Sequence, residues 1–430
     1  MRLPLGPLRH RPFRPLFVGQ VVSALGDWMG TVALIALVLN LTGSSTAVGG
    51  ILVLQLLPSA VAGPVATRVV GRWNRRRAMM YSDLVRVGIA LLIPLVRALW
   101  WVYLWAFFLQ LGGLVFLPAR DASIPDLVEG DEDELAVANG LILGSSFATI
   151  PVGAAAFGGL VALQDLLVGG EGPMGGRVFA IVFLVDALTF VVSYLLVRSL
   201  RVLDAVGPAA ERKAGTPPAE GLPFVQAFRI PLVRTVVPVA AVVTLGIGAL
   251  FSVGITFVRQ VLDASDVQFG VLIALFGVGA ALGLGVLQLL REREQLRVVR
   301  VSVAVLGIVV AVLSLAPTLE IAYGGAVAFG AAASATLLSG MGVLQTRLSG
   351  SDRVQGFAAF HVVIRAGLAT AALAAGVAVD LISGVRWPVI GRLEPARVVL
   401  LCSGLLVLLS AGWVHEPRGS RVGPRVEDGS

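Results

Sequence analysis

Residues 15–41 read PLFVGQVVSALGDWMGTVALIALVLNL, an apolar run with a single acid, Asp27, near its middle. A helix rises 1.5 Å per residue and bilayer hydrocarbon is about 30 Å thick, so about 20 such residues cross a membrane. The same reading predicts further spans at 46–71, 78–98, 99–118, 135–163 and 177–200 in the first half of the chain. The second half holds six more, at 231–259, 266–290, 298–317, 319–346, 354–382 and 397–414. The predicted fold class is all-α: a polytopic membrane protein with twelve transmembrane helices in two six-helix bundles.

Composition agrees with this reading. Of 430 residues, 57% are hydrophobic and 14% charged, whereas a soluble domain carries about 25% charged residues. Too few polar side chains remain to cover a water-facing surface, which excludes a soluble enzyme and also excludes disorder. The 51 glycines and 22 prolines follow no fixed period, so the chain is not collagen-like. One cysteine, Cys402, allows no internal disulfide, and with three histidines the chain offers no metal or cofactor site. Phosphate-loop and nucleophile-elbow patterns are absent, and the single lysine, Lys213, lies outside the spans. No enzymatic activity and no cofactor are expected, so work must come from an ion gradient or from the substrate's own.

The net charge of +7 is placed by topology rather than by nucleic acid. Arg72, Arg75, Arg76 and Arg77 lie between apolar runs, as do Arg291, Arg293, Arg297 and Arg300, with no aromatic platform for bases. Placing both termini in the cytoplasm puts Arg2, Arg9, Arg11, Arg14, both basic loops and the tail arginines on one side, as the positive-inside rule requires. Residues 201–229, with Pro208, Pro217 and Pro218 among charges, read as a polar linker. The expected organisation is therefore a bundle at 1–200, a cytoplasmic linker at 201–229, a second bundle at 230–417 and a polar tail at 418–430. Two similar bundles are how transporters built from repeats place a site between their halves. The expected location is the plasma or inner membrane. Expected partners are lipid, a small-molecule substrate and protons, and the chain is expected to act as a monomer.

A charge inside a span costs about 2.5–3.5 kcal/mol or more at the bilayer centre unless it is paired or faces water. Asp27, Asp186 and Arg365 lie near the middles of the first, sixth and eleventh spans, and His361 is one turn before Arg365. They share a depth, which predicts a central polar cavity, with Trp28 beside it as a substrate contact. Either Asp27 or Asp186 can serve as a proton carrier opposite Arg365; the alternative is a permanent ion pair holding the halves together. Asp83 and Arg86 sit one turn apart at the start of the third span. With Arg72 and Arg76 they form either a cytoplasmic gate that breaks when the halves rock or a static helix-end bridge. Gly140 with Gly144, and Gly279 with Gly283, have the spacing of close helix contacts. The acidic run Asp131–Glu134 reads as the start of the fifth helix.

Several motifs together resemble the major facilitator superfamily, and within it the exporter branch that includes macrolide efflux and enterobactin export proteins. They are Phe13-Arg14-Pro15-Leu16-Phe17 leading to Ser23-Ala24-Leu25-Gly26-Asp27; Asn74-Arg75-Arg76-Arg77 before Ser82-Asp83-Leu84-Val85-Arg86; and Pro118-Ala119-Arg120 with Ile124-Pro125-Asp126-Leu127-Val128 and Ala138-Asn139-Gly140. The resemblance implies alternating access around a central cavity and proton-coupled export of a small amphiphilic molecule such as a drug, antibiotic or siderophore. An importer or facilitator, or a sensor that has kept the fold without transport, are the alternatives. Two departures stand out. The glycine and aspartate of the superfamily's loop after the second helix align with Thr67 and Gly71, and the exporter-type fifth-helix pattern is replaced by Ala154-Ala155-Ala156-Phe157-Gly158-Gly159.

Overall fold

A computed structural model describes residues 6–56, 73–128, 132–168, 176–204, 227–290, 293–348, 350–383 and 394–415. The first-half helices are α1 (Phe13–Thr42), α2 (Ser45–Leu56), α3 (Arg75–Leu92), α4 (Leu99–Leu127), α5 (Glu132–Val168) and α6 (Gly176–Ser199). The second half holds α7 (Pro231–Thr256), α8 (Asp266–Leu289), α9 (Gln295–Ser314), α10 (Leu319–Arg347), α11 (Gly350–Ser383) and α12 (Pro395–Ser410). Eleven helices among the described residues are long and apolar enough to cross a membrane; of the expected second span at 46–71, α2 covers the part to Leu56 and residues 57–71 lie outside the described residues. Most of the linker, the tail after His415, and Thr67, Gly71 and Arg72 lie outside the described residues.

The helix ends follow from local chemistry. Pro231 and Pro395 begin α7 and α12, where a missing N–H costs nothing. Ser265 and Gln268 form a reciprocal capping box on α8. Gly43 closes α1 at φ +65°, its amide bonded to the Leu39 carbonyl at 2.7 Å, a conformation glycine adopts without strain. The Asn74 side chain accepts from the Arg77 amide at 3.1 Å and starts α3. This cap corrects the expected start of the third span. Arg75, Arg76 and Arg77 form the first turn of α3 rather than a loop, which carries Asp83 and Arg86 deeper than a helix end.

The packing is duplicated. In the first half α1 lies on α5 and α6, and α3 lies on α4 and α6; in the second, α7 lies on α11 and α12, and α9 on α10 and α12. Each pairing recurs six helices later, as in a bundle of repeats. Large apolar side chains on the outer faces, including Leu84, Leu91, Ile308, Val312 and Leu409, are exposed and suit a lipid surface. Gly279 and Gly283 of α8 meet the α10 backbone at Val327 and Ala331, so that expected close contact is present. Gly140 and Gly144 have nothing within 4 Å of a Cβ added there.

The hydrogen bonds that join the halves among the described residues gather at the end where α1 and α7 finish. The Ser45 and Thr256 hydroxyls bond at 2.7 Å, Ser44 Oγ and Thr46 N donate to Asp380, and Gln260 donates to the Gly43 carbonyl at 3.3 Å. Gly49 of α2 lies against the α11 backbone at Ala372 and Leu373, and Gly158 of α5 lies against Gly270 of α8. An apolar core continues across the same end, from Val38 and Val48 to Val253 and Ala372. This end of the molecule is closed.

Candidate functional site

Three aspartates from three helices converge on one guanidinium. Asp27 on α1 accepts directly from Arg86 Nη2 on α3, and Asp83 lies one turn before Arg86, its Oδ1 3.7 Å from Nη1. Asp186, on α6, lines the same cavity as Asp27 and Arg86. The arginine is held on its other face by the Phe190 ring, with Cζ 3.8 Å from the centroid, a cation–π contact in a place shielded from water. Burial separates the acids. Asp83 and Asp186 are 0% and 1% exposed, whereas the Asp27 side chain is 42% exposed.

Small residues make room for this cluster. A Cβ on Gly26 would fall 2.5 Å from Asp186 Oδ1, and one on Gly30 would fall 3.0 Å from Oδ2. These two glycines, one turn apart on α1 on either side of Asp27, open the groove into which the Asp186 carboxylate fits. Gly112 of α4 does the same for the Arg86 stem, while its carbonyl accepts from the Ser82 hydroxyl at 2.7 Å. The spacing of Gly26 and Gly30 was visible in the sequence and is the signal that could have placed Asp186 against α1.

The cavity has a volume of about 230 Å³ and mixes charged and amide groups: Gln20, Gln55 and Gln110 share its wall with Asp27, Arg86 and Asp186. At one edge Gln20 accepts from Arg120 Nη1 at 2.8 Å, and Arg120 also holds its neighbour Asp121 at 2.6 Å. A second cavity of about 60 Å³ lies between α1 and the second half, walled by Phe251, Phe276, Phe329 and other apolar side chains. Trp28 and Thr31 line both. Gly153 of α5 allows this, since a Cβ there would lie 2.8 Å from Trp28 Cβ. α7 ends beside the apolar cavity in a π-turn, Phe257–Val261, whose Phe257 and Val258 add to the wall.

The expected site residues are regrouped by this geometry. Asp27 takes Arg86 as its partner rather than Arg365, because α6 packs on both α1 and α3 within one half. Neither His361 nor Arg365 is among the lining residues of the cavity. His361 is exposed, with Nδ1 3.0 Å from the Phe357 carbonyl of its own helix, and Arg365 is half-buried on α11. The expected gate is also divided. Asp83 and Arg86 belong to the buried cluster, while Arg76 bonds the Arg198 carbonyl in the last turn of α6 and Asp204 just beyond it, both at 2.6 Å. Arg76 and Asp83 are seven residues apart, about 10 Å along a helix, too far for one contact. Arg75 pairs with Asp126, and Arg72 lies outside the described residues. No group of three metal-ligating side chains occurs among the described residues.

The Major Facilitator Superfamily profile matches residues 16–295. An uncharacterized MFS-type transporter, YfiS of Bacillus subtilis (strain 168), is 26% identical over 268 residues, covering 62% of this chain and 61% of that protein. The match therefore spans about three fifths of that relative's length. Among solved structures, the nucleoside transporter NupG has a TM-score of 0.74 at 12% identity, over 94% of this chain and 98% of that one. A bacterial homologue of the lysosomal transporter Spinster, in an inward-facing, occupied conformation, gives 0.73 at 16%, over 95% and 96%. A bacterial homologue of the iron transporter ferroportin, in an inward-facing state, gives 0.71 at 12%, over 94% and 99%. Identities this low indicate a shared fold alone. The profile match over well over half of the sequence, together with the duplicated helix packing, places the chain in the Major Facilitator Superfamily, as a multi-pass membrane transporter rather than an enzyme.

Proposed function

We propose that the protein exports a small amphiphilic molecule in exchange for protons, acting as a monomer in the plasma or inner membrane, in the exporter branch that its motifs resemble. The observation that carries this reading is the convergence of Asp27, Asp83 and Asp186 on Arg86 beside a cavity. Three ionised carboxylates against one guanidinium leave an excess of negative charge inside a membrane, where each unpaired charge is costly, and protons are the simplest way to remove it. Rocking of the halves would carry the cluster from one aqueous side to the other, and inward movement of one proton releases about 2.3 kcal/mol per 100 mV. With both termini cytoplasmic, as the arginine bias favours, the closed end is the outer one. The apolar cavity next to the cluster supports an amphiphilic cargo.

Purified protein in liposomes under an imposed pH gradient tests the reading. Substrate-dependent proton movement across a broad panel of small molecules is the expected result, and its absence overturns the antiport mechanism. Substrate flux without protons would make the protein a facilitator. Asp27→Asn, Asp83→Asn and Asp186→Asn, compared for gradient-driven export and for gradient-free exchange, identify the coupling acid: that variant keeps exchange and loses uphill export. If all three export uphill as wild type does, the carboxylates are structural.

A further inference from the structure

We propose that the two cavities meeting at Trp28 form one bipartite site for an organic cation with an apolar body, the cationic head lying against Asp186 and Asp27 and the body against the wall of Phe251, Phe276 and Phe329. The inference rests on the transporter reading above and narrows it, since it selects cationic cargo over anionic cargo of the siderophore kind.

Asp186 carries the argument. Its side chain is 1% exposed, lines the polar cavity, and neither carboxylate oxygen has a hydrogen-bond partner. A buried carboxylate without a donor costs free energy that a ligand donor or cation recovers on binding. The protein's own cation at this place is already engaged, because Arg86 bonds Asp27 and sits 3.7 Å from Asp83, with Phe190 over its face. Asp186 is thus the acid of the cluster left for a guest. Gly26 and Gly30 put no side chain between the α1 backbone and its oxygens, so the carboxylate fits closely against α1 without gaining a hydrogen-bond donor.

The rest of the wall fits the same guest. Gln55 and Gln110 offer amide oxygens to an ammonium or amidinium head, and neither is charged, so nothing but Arg86 opposes a cation among the lining residues. Trp28 borders both cavities. An indole face is the strongest aromatic partner for a cation, and its ring is also apolar, which suits the junction between head and body. Beyond it the wall is almost entirely hydrocarbon and aromatic, which would leave a second charge on the body without a partner. An anion would meet two lining carboxylates, Asp27 and Asp186, for one guanidinium already bonded to Asp27, and be repelled.

The test uses permanently charged probes, so that protonation of the ligand plays no part. Equilibrium binding of tetraethylammonium, phenyltrimethylammonium and tetraphenylphosphonium to the purified, detergent-solubilised protein is compared with binding of tetraphenylborate, an anion of the same shape as the last. At least one cation will bind saturably, in a one-to-one ratio, and tetraphenylborate will not. Asp186→Asn will weaken the cation by about 30-fold or more, as loss of a desolvated charge partner does. Trp28→Ala will weaken it, Trp28→Phe will restore most of the loss, and Phe276→Ala will penalise the aryl probes over tetraethylammonium. Because Asp186→Asn can disturb folding, the Trp28 and Phe276 variants keep the test decisive. Failure of every cation to bind, equal binding of tetraphenylborate, or unchanged affinity in folded Asp186→Asn protein overturns the proposal. Saturable cation binding without proton flux in liposomes would leave the bipartite site standing and remove the antiport reading; proton-coupled flux of an uncharged or anionic substrate would do the reverse.

Discussion

Asp380 Oδ2, near the end of α11, accepts both the Ser44 hydroxyl at 2.6 Å and the Thr46 backbone amide at 3.0 Å, so a carboxylate of one half caps the first turn of a helix in the other. Ser44 Oγ itself accepts from the Ala47 amide at 3.2 Å, which makes the cap a relay across the interface. Such a contact exists only while this end of the molecule is shut. Loss of an N-cap costs about 0.5–2 kcal/mol, equivalent to an about 2- to 30-fold change between closed and open populations. Asp380→Ala will therefore raise the rate at which an impermeant thiol reagent, applied from that side, modifies a cysteine at Thr31 in a Cys402→Ser background. An unchanged rate would show that the close backbone contacts of Gly49 with Ala372 and of Gly376 with Ser45 hold the end closed without the cap.

Arg86 is the cation that makes its cluster tolerable. Removing one partner of a buried ion pair costs about 3–5 kcal/mol, because the remaining charge is left in a medium that solvates it poorly. Arg86→Gln will lower thermal stability in detergent well beyond Arg76→Gln, because Arg86 also faces the fully buried Asp83, whereas Arg76 pairs with the part-exposed Asp204. Adding Asp83→Asn to Arg86→Gln will recover part of the loss, since Asp83 is the fully buried acid nearest the guanidinium. Equal melting temperatures for the two single variants would contradict the role given to Arg86.

Helix contact through glycine is expected at α8 and α10 and nowhere near Gly140. A Cβ on Gly330 would overlap the Phe276 carbonyl oxygen, and the backbone there cannot yield cheaply. Gly330→Ala will destabilise the protein by about 1–3 kcal/mol, as overpacking does. Gly140→Ala, which meets nothing within 4 Å, will leave stability unchanged or slightly raised by reduced helix entropy cost. Thermal unfolding followed by the survival of monodisperse protein separates the two outcomes.

His361 offers a direct comparison with the aspartate cluster. It is exposed and turned to its own helix's carbonyl, outside the lining of the polar cavity. Gradient-driven export by His361→Gln will stay within about twofold of wild type, whereas the coupling aspartate, once neutralised, will abolish uphill export. A His361→Gln variant that exchanges substrate but no longer concentrates it would return the proton path to α11.

The membrane fold is written in composition and run length. Apolar stretches long enough to span hydrocarbon, broken by polar turns, leave few other ways for the backbone to satisfy its hydrogen bonds in lipid, and eleven spanning helices appear among the described residues where the runs predict them. Asp27 and Asp186 stand out in the sequence for a related reason, since a charge in a span is costly, and the structure puts both in the lining of one cavity. The boundary of α3 was misjudged because arginine looks like loop composition, although it is a good helix former and Asn74 supplies the cap. Composition alone therefore puts Arg86 at a helix end, whereas it lies within α3.

Sequence by itself determined the class of fold, the repeat of six helices and the presence of buried carboxylates, because hydropathy and charge cost act locally along the chain. Which cation those carboxylates meet was decided only in three dimensions. Depth along a helix places residues on a common level, but pairing depends on which helices are neighbours and which faces they turn to one another. α6 packs on both α1 and α3, and Arg86 reaches Asp27 across that arrangement, whereas His361 and Arg365 on α11 lie outside the cavity lining. The glycines at 26 and 30 that admit Asp186 gain their meaning the same way, as space left on one helix for a side chain arriving from another.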